Sequence, residues 1–249
     1  MKTLFISLGA LLFIGNSVAQ NKGSIIYEVA FKIQLGPVEG LDSAMMSNLP
    51  RESKSHRILY FSPEASIYQN HQKESVDDLM EKKGNIVIKM DEMNDIIYTD
   101  LKAKKRTEQR DFMSRLFLIE SEIQPFEWKP NGETRTIKGY NCLGAEIPGD
   151  SMNPPVKIWF APSLQPAVGP MEFSGFPGAV LAAELDEGMT TIEAIEVNLD
   201  KDFTDQITKP KKGKKISPEK FMEIVDAKMK EMQEEYGGDG QTVIKIVHD

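Results

Sequence analysis

The chain has 249 residues, 40% of them hydrophobic and 27% charged, with a formal net charge of -8 and a single cysteine. That length admits one sizeable core. The acidic balance repels phosphate backbones and argues against a nucleic-acid partner, while one cysteine excludes an intrachain disulfide.

The N-terminus reads as a secretory leader. Lys2 supplies the basic start, Leu4 to Ile14 the apolar segment, and Ser17-Val18-Ala19 the small-residue cleavage site before Gln20. The apolar run is shorter than the roughly 20 residues a membrane span needs. Residues 1-19 are therefore expected to be a signal peptide, and 20-249 a single exported β-rich domain with no transmembrane segment after cleavage. Removing Lys2 makes the chain one unit more negative. The expected location is the periplasm, the outer membrane or the outside.

In the mature chain, Ser24 to Leu35 alternates Tyr27, Val29, Phe31, Ile33 and Leu35 with Glu28, Ala30, Lys32 and Gln34, the period-two pattern of a half-buried strand. Gly36-Pro37 ends it. Leu41 to Leu49 reads as a helical turn or loop before Pro50. Strand-type runs follow at Ser55 to Phe61, Ala65 to Asn70, Asn85 to Met90, Ile96 to Leu101, Lys104 to Arg110 and Phe112 to Ile119. The charged Asp77 to Lys83 stretch reads as a loop. Successive strands without intervening helices predict an antiparallel meander.

Further strands are expected at Glu133 to Lys138, Tyr140 to Ile147, Val156 to Ala161, Ala179 to Leu185 and Thr190 to Leu199, between frequent prolines and glycines. Residues 200-216 are basic and polar and read as a solvated linker. Residues 217-236 form an amphipathic helix, with Ser217 as N-cap, Pro218 at its first position and Phe221, Ile224, Val225, Met229, Met232 and Tyr236 on one face. Thr242 to Val247 alternates again, as a last edge strand or a frayed end. The expected class is α+β, mostly antiparallel β: one strongly bent sheet or half-barrel with the C-terminal amphipathic helix packed on it.

Chemistry is sparse. His56, His71 and His248 are the only histidines, and none accompanies a nucleophile turn or a triad pattern. Closely spaced Cys and His, or His-Glu-x-x-His, are missing, as is a phosphate-cradling glycine loop, so no cofactor is expected. Three activities stay open. The first is non-enzymatic binding of an apolar ligand or an envelope protein. A carboxylate-based hydrolase would need two carboxylates in one cleft. A periplasmic copper binder would use thioethers such as Met45-Met46, Met90 with Met93, and Met229 with Met232. Cys142, amid apolar neighbours, reads as a small buried hydrophobe.

Three stretches carry a family likeness: FEWKPNGETRTIKGYNCLGAEI from Phe126, VKIWFAPSL from Val156, and VGPMEFSGFPGAVLAAEL from Val168. Together they resemble the GLPGLI family, exported and mostly uncharacterised proteins of the Bacteroides lineage. The motif positions are Gly139, Tyr140, Cys142, Gly169, Pro170, Gly175, Phe176, Pro177 and Gly178. At the naming motif Gly175-Phe176-Pro177-Gly178-Ala179-Val180 replaces Gly-Leu-Pro-Gly-Leu-Ile, keeping the glycines and proline. That retention suits a backbone turn whose apolar side chains anchor it in the core. At the level of fold, a Gly-Tyr strand followed by a Trp-Phe strand is also similar to the half-barrel of periplasmic lipoprotein carriers. That likeness implies a concave face able to hold an acyl chain, with Trp128, Tyr140, Trp159 and Phe176 as its candidate aromatic lining.

Overall fold

A computed structural model describes residues 21-33, 51-71, 80-83, 86-89, 94-150, 154-199 and 201-236. Residues 1-19, Leu41 to Leu49 and Thr242 to Val247 lie outside the described residues. Fourteen strands and one helix are described. The strands are β1 (Gly23–Lys32), β2 (Glu52–Phe61), β3 (Ala65–Asn70), β4 (Met80–Lys83), β5 (Ile86–Lys89), β6 (Ile96–Asp100) and β7 (Lys105–Phe112). They continue as β8 (Arg115–Glu122), β9 (Lys129–Ile137), β10 (Tyr140–Ile147), β11 (Val156–Ala161), β12 (Ala179–Leu185), β13 (Thr190–Asn198) and β14 (Lys214–Ile216). The helix α1 spans Pro218–Tyr236.

Twelve strands form one sheet in the order β14-β8-β7-β6-β3-β2-β1-β13-β12-β11-β10-β9. It is not closed, since β14 and β9 stand at opposite ends. All pairings are antiparallel except that of β14 with β8. The meander runs β1-β2-β3-β6-β7-β8 on one side, and β9 to β13 returns from the far end until β13 pairs with β1, Val29 opposite Ile192. The long-range β1-β13 pairing thus joins two local meanders into one sheet.

Four local readings change. Residues 80-83 are not loop but β4, paired with β5 so that Lys83 lies opposite Ile86. The sequence between them, Gly84-Asn85, is a hairpin-type dipeptide, a signal that the charge of Glu81, Lys82 and Lys83 obscured. The β7-β8 turn falls at Met113 and Ser114, both at positive φ (51° and 59°), a turn that no glycine or asparagine advertises. Strand β9 starts at Lys129, passing through Pro130, which an edge strand tolerates because one side of its backbone has no ladder to break. The fourth change concerns residues 201-216, which are largely exposed as expected but run along the sheet and are fastened to it.

This segment is a strap lying across one face of the sheet. Phe203 packs on Tyr60 of β2 with ring centroids 5.1 Å apart, and Lys22 pairs with Asp202 at 2.5 Å. Thr204 and Ile207 pass over β3 and β6, and Lys209 pairs with Glu120 of β8 at 2.7 Å. The strap then turns at Gly213, whose φ is +119° and whose absent Cβ would sit 2.8 Å from the Phe117 carbonyl carbon, and joins the sheet as β14. Only glycine permits both that angle and that approach. Helix α1 follows at once and docks by its first turns, where the Phe221 ring meets Phe112 and Phe117 at 5.9 and 5.5 Å. Beyond that contact Ile224 and Val225 are half-buried, while Met222 and Met229 are 54% and 51% exposed.

The face opposite the strap carries the core, and α1 docks on that face too, since Phe117 lies opposite Arg110 in the β7-β8 register. Ile25, Tyr27, Leu59, Tyr68 and Ile97 contribute from β1, β2, β3 and β6, and Ile158, Phe160, Val180 and Ile192 from β11, β12 and β13. The 17 residues between β11 and β12 fold over them as a plug, burying Leu164, Val168, Phe173 and Phe176. Each such side chain removed from water stabilises the fold by about 1.5–3 kcal/mol. The Tyr27 hydroxyl donates to the Val180 carbonyl at 2.7 Å, fastening β1 to the end of the plug. Burial pushes that phenol well above its ordinary value, so it remains a donor.

Candidate functional site

The plug is shaped by the glycine and proline motif. Gly175 has φ +94° and Gly178 φ +150°, and a Cβ on Gly178 would lie 2.1 Å from the Ala161 carbonyl oxygen. A Cβ on Gly169 would lie 1.9 Å from the Phe173 carbonyl oxygen, so this stretch passes against the plug's own backbone. Pro170 caps a short turn in which the Phe173 amide donates to its carbonyl at 3.0 Å. Pro177 is exposed, whereas Phe176, Ala179 and Val180 are buried. The side chains anchor the loop while the glycines let it turn.

Of the aromatic set read from the sequence, Trp128 and Phe176 meet, their ring centroids 5.6 Å apart. Phe126, Phe160 and Phe173 complete a cluster around them, with centroid separations of 5.8 to 6.1 Å. Tyr140 stands elsewhere, half-buried at the start of β10 just after the Lys138-Gly139 turn, where φ is +49° and +83°. Trp159 is on the other face altogether. Its pairing opposite Gly144 and Ala182 puts it with the charged side of the sheet, where the Arg135 guanidinium covers the indole at 3.6 Å. Arg135 is held there by Glu184 at 2.7 Å and Glu193 at 3.9 Å. Trp159 and Phe176 have essentially no exposed surface. Cys142 is also buried, its Sγ directed at the Tyr140 carbonyl oxygen at 3.6 Å, and burial pushes its thiol up to about 11, too high for a nucleophile at neutral pH.

Sequence reasoning missed an ionic cluster on the plug face. Arg106, Glu108 and Arg110 occupy alternate positions of β7, hence one face, together with Arg57 of β2 and Asp95 before β6. Arg110 binds Glu108 at 2.7 Å and Asp95 at 3.0 Å. Arg57 donates to the Asp95 carbonyl oxygen at 2.7 Å and lies 4.9 Å from the Tyr68 ring. Arg106 donates to the Glu172 carbonyl oxygen at 3.0 Å, tying the plug to β7. Burial raises the Asp95 carboxyl above its usual range against the pull of Arg110, the Asp111 amide and Arg57. Two carboxylates thus share one guanidinium, which pairs with both. The alternation Arg-x-Glu-x-Arg was visible in the sequence, but it reads as a solvated strand face.

On the strap face a shallow cleft of about 300 Å³ lies beneath the strap, lined by Ser62, Glu64, Tyr98, Asp100, Lys102 and Thr204 among others. Its charges are largely engaged, Lys102 with Glu64 and the Asp100 carboxylate with the Ala103 amide at 2.7 Å. Among the described residues no group of three or more His, Cys, Asp and Glu is placed to hold a metal ion. Met45, Met46, Met90 and Met93 lie outside the described residues.

Neither protein-family models nor curated protein sequences match the chain. Solved structures do. PNGF-II in space group C2 matches with a TM-score of 0.54 and 16% identity, covering 84% of this chain and 33% of that one. The same protein in space group P21 gives 0.53 and 16%, covering 84% and 34%. The chain therefore spans about a third of the length of the solved chains it matches, and at this identity the likeness is one of fold.

Proposed function

We propose that this protein is an exported, non-enzymatic binding protein of the cell envelope, a member of the GLPGLI family whose partner is another protein. The leader of residues 1-19 and the motif around Gly175 to Gly178 support export and family. One observation favours a protein over an apolar small molecule: the plug face is filled by the chain's own Leu164, Val168, Phe173 and Phe176. If the sheet curves as a half-barrel, this plug occupies the space in which a carrier of the same shape would hold its lipid. Binding is then left to surfaces and edges, and Trp128, Tyr140, Trp159 and Phe176 serve packing.

Expression of the full-length chain in a Gram-negative host tests the reading. The envelope fraction should yield a chain lacking residues 1-19, and organic extraction of the purified protein should release no stoichiometric lipid. An intact chain confined to the cytosol would overturn export. An acyl species recovered at about one per chain would overturn the protein-partner reading.

A further inference from the structure

The strap ends in a run of lysines: Lys209, Lys211, Lys212, Lys214 and Lys215 fall within seven residues of a chain whose net charge is -8. All five are exposed. The run is not a loose tail. Gly213 lets it approach the backbone of Phe117, Lys209 is tied to Glu120, and Lys214 to Ile216 pair with Phe117 to Ile119. Glu120 is drawn into the run, its carboxyl held below the usual range by the hydrogen bond from Lys209 and the charges of Lys215 and Lys105. Lys211, Lys212 and Lys214 have no acidic partner among the described residues. Beside them the outer edge of β14 has no strand neighbour among the described residues.

An open edge is a template for strand addition, and lysine is a usual guard against it. A guard of this density and order does more than repel. Its charge disfavours a basic strand and is complementary to one whose own charge is negative. We infer that the outer edge of β14, with the lysine run, docks an extended acidic segment of a partner protein as an added strand, an inference that rests on the protein-partner reading above. Main-chain hydrogen bonds supply the pairing and carboxylates facing the lysines supply the selection. Geometry favours a narrow chain over an anionic membrane. The exposed Glu219, Glu223 and Asp226 of α1 follow within ten residues of β14, and a broad negative surface would meet them as well as the lysines.

The test uses the mature protein and a fluorescein-labelled ten-residue peptide alternating Glu and Val. Fluorescence anisotropy should show binding that weakens with salt and falls at least tenfold for the double variant Lys211→Glu/Lys212→Glu. The control Lys157→Glu, at a lysine on β11, should bind as the parent does. Hydrogen exchange should slow at the amides of Lys214 to Ile216 when the peptide is bound. A peptide of the same charge, N-methylated at alternate residues, should lose binding at least tenfold. Equal binding of the methylated peptide would mean charge alone and would overturn strand addition. Tighter binding to phosphatidylglycerol vesicles or to polygalacturonate would overturn the acidic-protein assignment. Failure of the peptide to bind would overturn this inference while leaving the protein-partner reading to its own test of processing and lipid content.

Discussion

The two halves of the sheet solve the same problem with different chemistry. From β9 to β13 the sheet is covered by its own 17-residue plug, and the contact is aromatic and aliphatic: Phe126, Trp128, Phe160, Phe173 and Phe176 in one cluster. From β2 to β8 the same face carries Arg57, Asp95, Glu108 and Arg110, and the opposite face is crossed by a polar strap. The first half gains from burial of area, which is non-directional and tolerates small shifts. The second depends on charges whose desolvation is offset only when every partner is in place. The plugged half should therefore respond to loss of volume, and the strapped half to loss of a partner.

The largest expected effect tests the plug. Phe176→Ala leaves a cavity among Phe126, Trp128 and Phe160, and should cost about 3–5 kcal/mol in chemical denaturation. A loss below about 1 kcal/mol would show that the loop only rests on the sheet. Arg110→Ala comes next, since it removes the shared cation and leaves Glu108 only the 3.9 Å contact with Arg106 and Asp95 the Asp111 amide at 3.3 Å. Breaking a buried pair costs about 3–5 kcal/mol, and the partial exposure of Arg110 places this one at or below the lower end. Replacing Arg110 together with Asp95 and Glu108 by apolar residues should recover part of that loss, whereas comparable substitution in the plug should recover none.

Gly213→Ala separates strap from sheet. A Cβ there collides with the Phe117 backbone at an angle that L residues rarely adopt, so the strap must lift, at a cost of about 1–3 kcal/mol. Hydrogen exchange should accelerate at β14 and not at the plug. Fast exchange in both regions would mean that the halves unfold as one unit.

The smallest effect is a pH dependence confined to the ionic half. Asp95 has its carboxyl raised in the folded state, chiefly by burial, so the folded chain binds that proton more tightly than the unfolded one. Its contribution is full below the ordinary carboxylate value and is lost as pH rises through the raised one. Asp95→Asn removes this term. Its stability relative to the parent should accordingly increase as pH rises across the acid range, read from urea melts at several pH values. A relative stability that falls with rising pH would show that Arg110 outweighs burial.

Much of this architecture was legible from runs of strand-type residues between turn residues. Ala65 to Asn70, Tyr140 to Ile147, Val156 to Ala161 and Ala179 to Leu185 form strands with the bounds read for them, and three of the four are apolar runs buried on both faces, so run length and flanking turn residues carried the signal there and not alternation. Helix α1 begins at Pro218 for an equally local reason: Ser217 accepts from the Lys220 amide at 3.3 Å. Misplaced bounds arose where the local signal was missing or contrary, at the glycine-free Met113-Ser114 turn and at Pro130 in β9. Within the site, the retained glycines of Gly175-Phe176-Pro177-Gly178 marked a turn in the sequence itself, since positive φ is a property of single residues.

Other features belong to no local window. That Trp159 lies under Arg135 while its neighbour Phe160 joins the plug follows from the face each occupies, which is set only once β11 has β10 and β12 on either side. That Arg106, Glu108 and Arg110 face the core side follows from the register of β7 with β6, in which Glu108 lies opposite Ile97. The lysine run became an ordered edge only when the strap had crossed the sheet to β8. The sequence by itself determined which residues alternate, where the helix starts and which glycines turn. The tertiary structure alone decided strand order, the facing of charges and the course of the strap, because those depend on contacts between residues far apart in the chain, whose closure entropy and burial no short window contains.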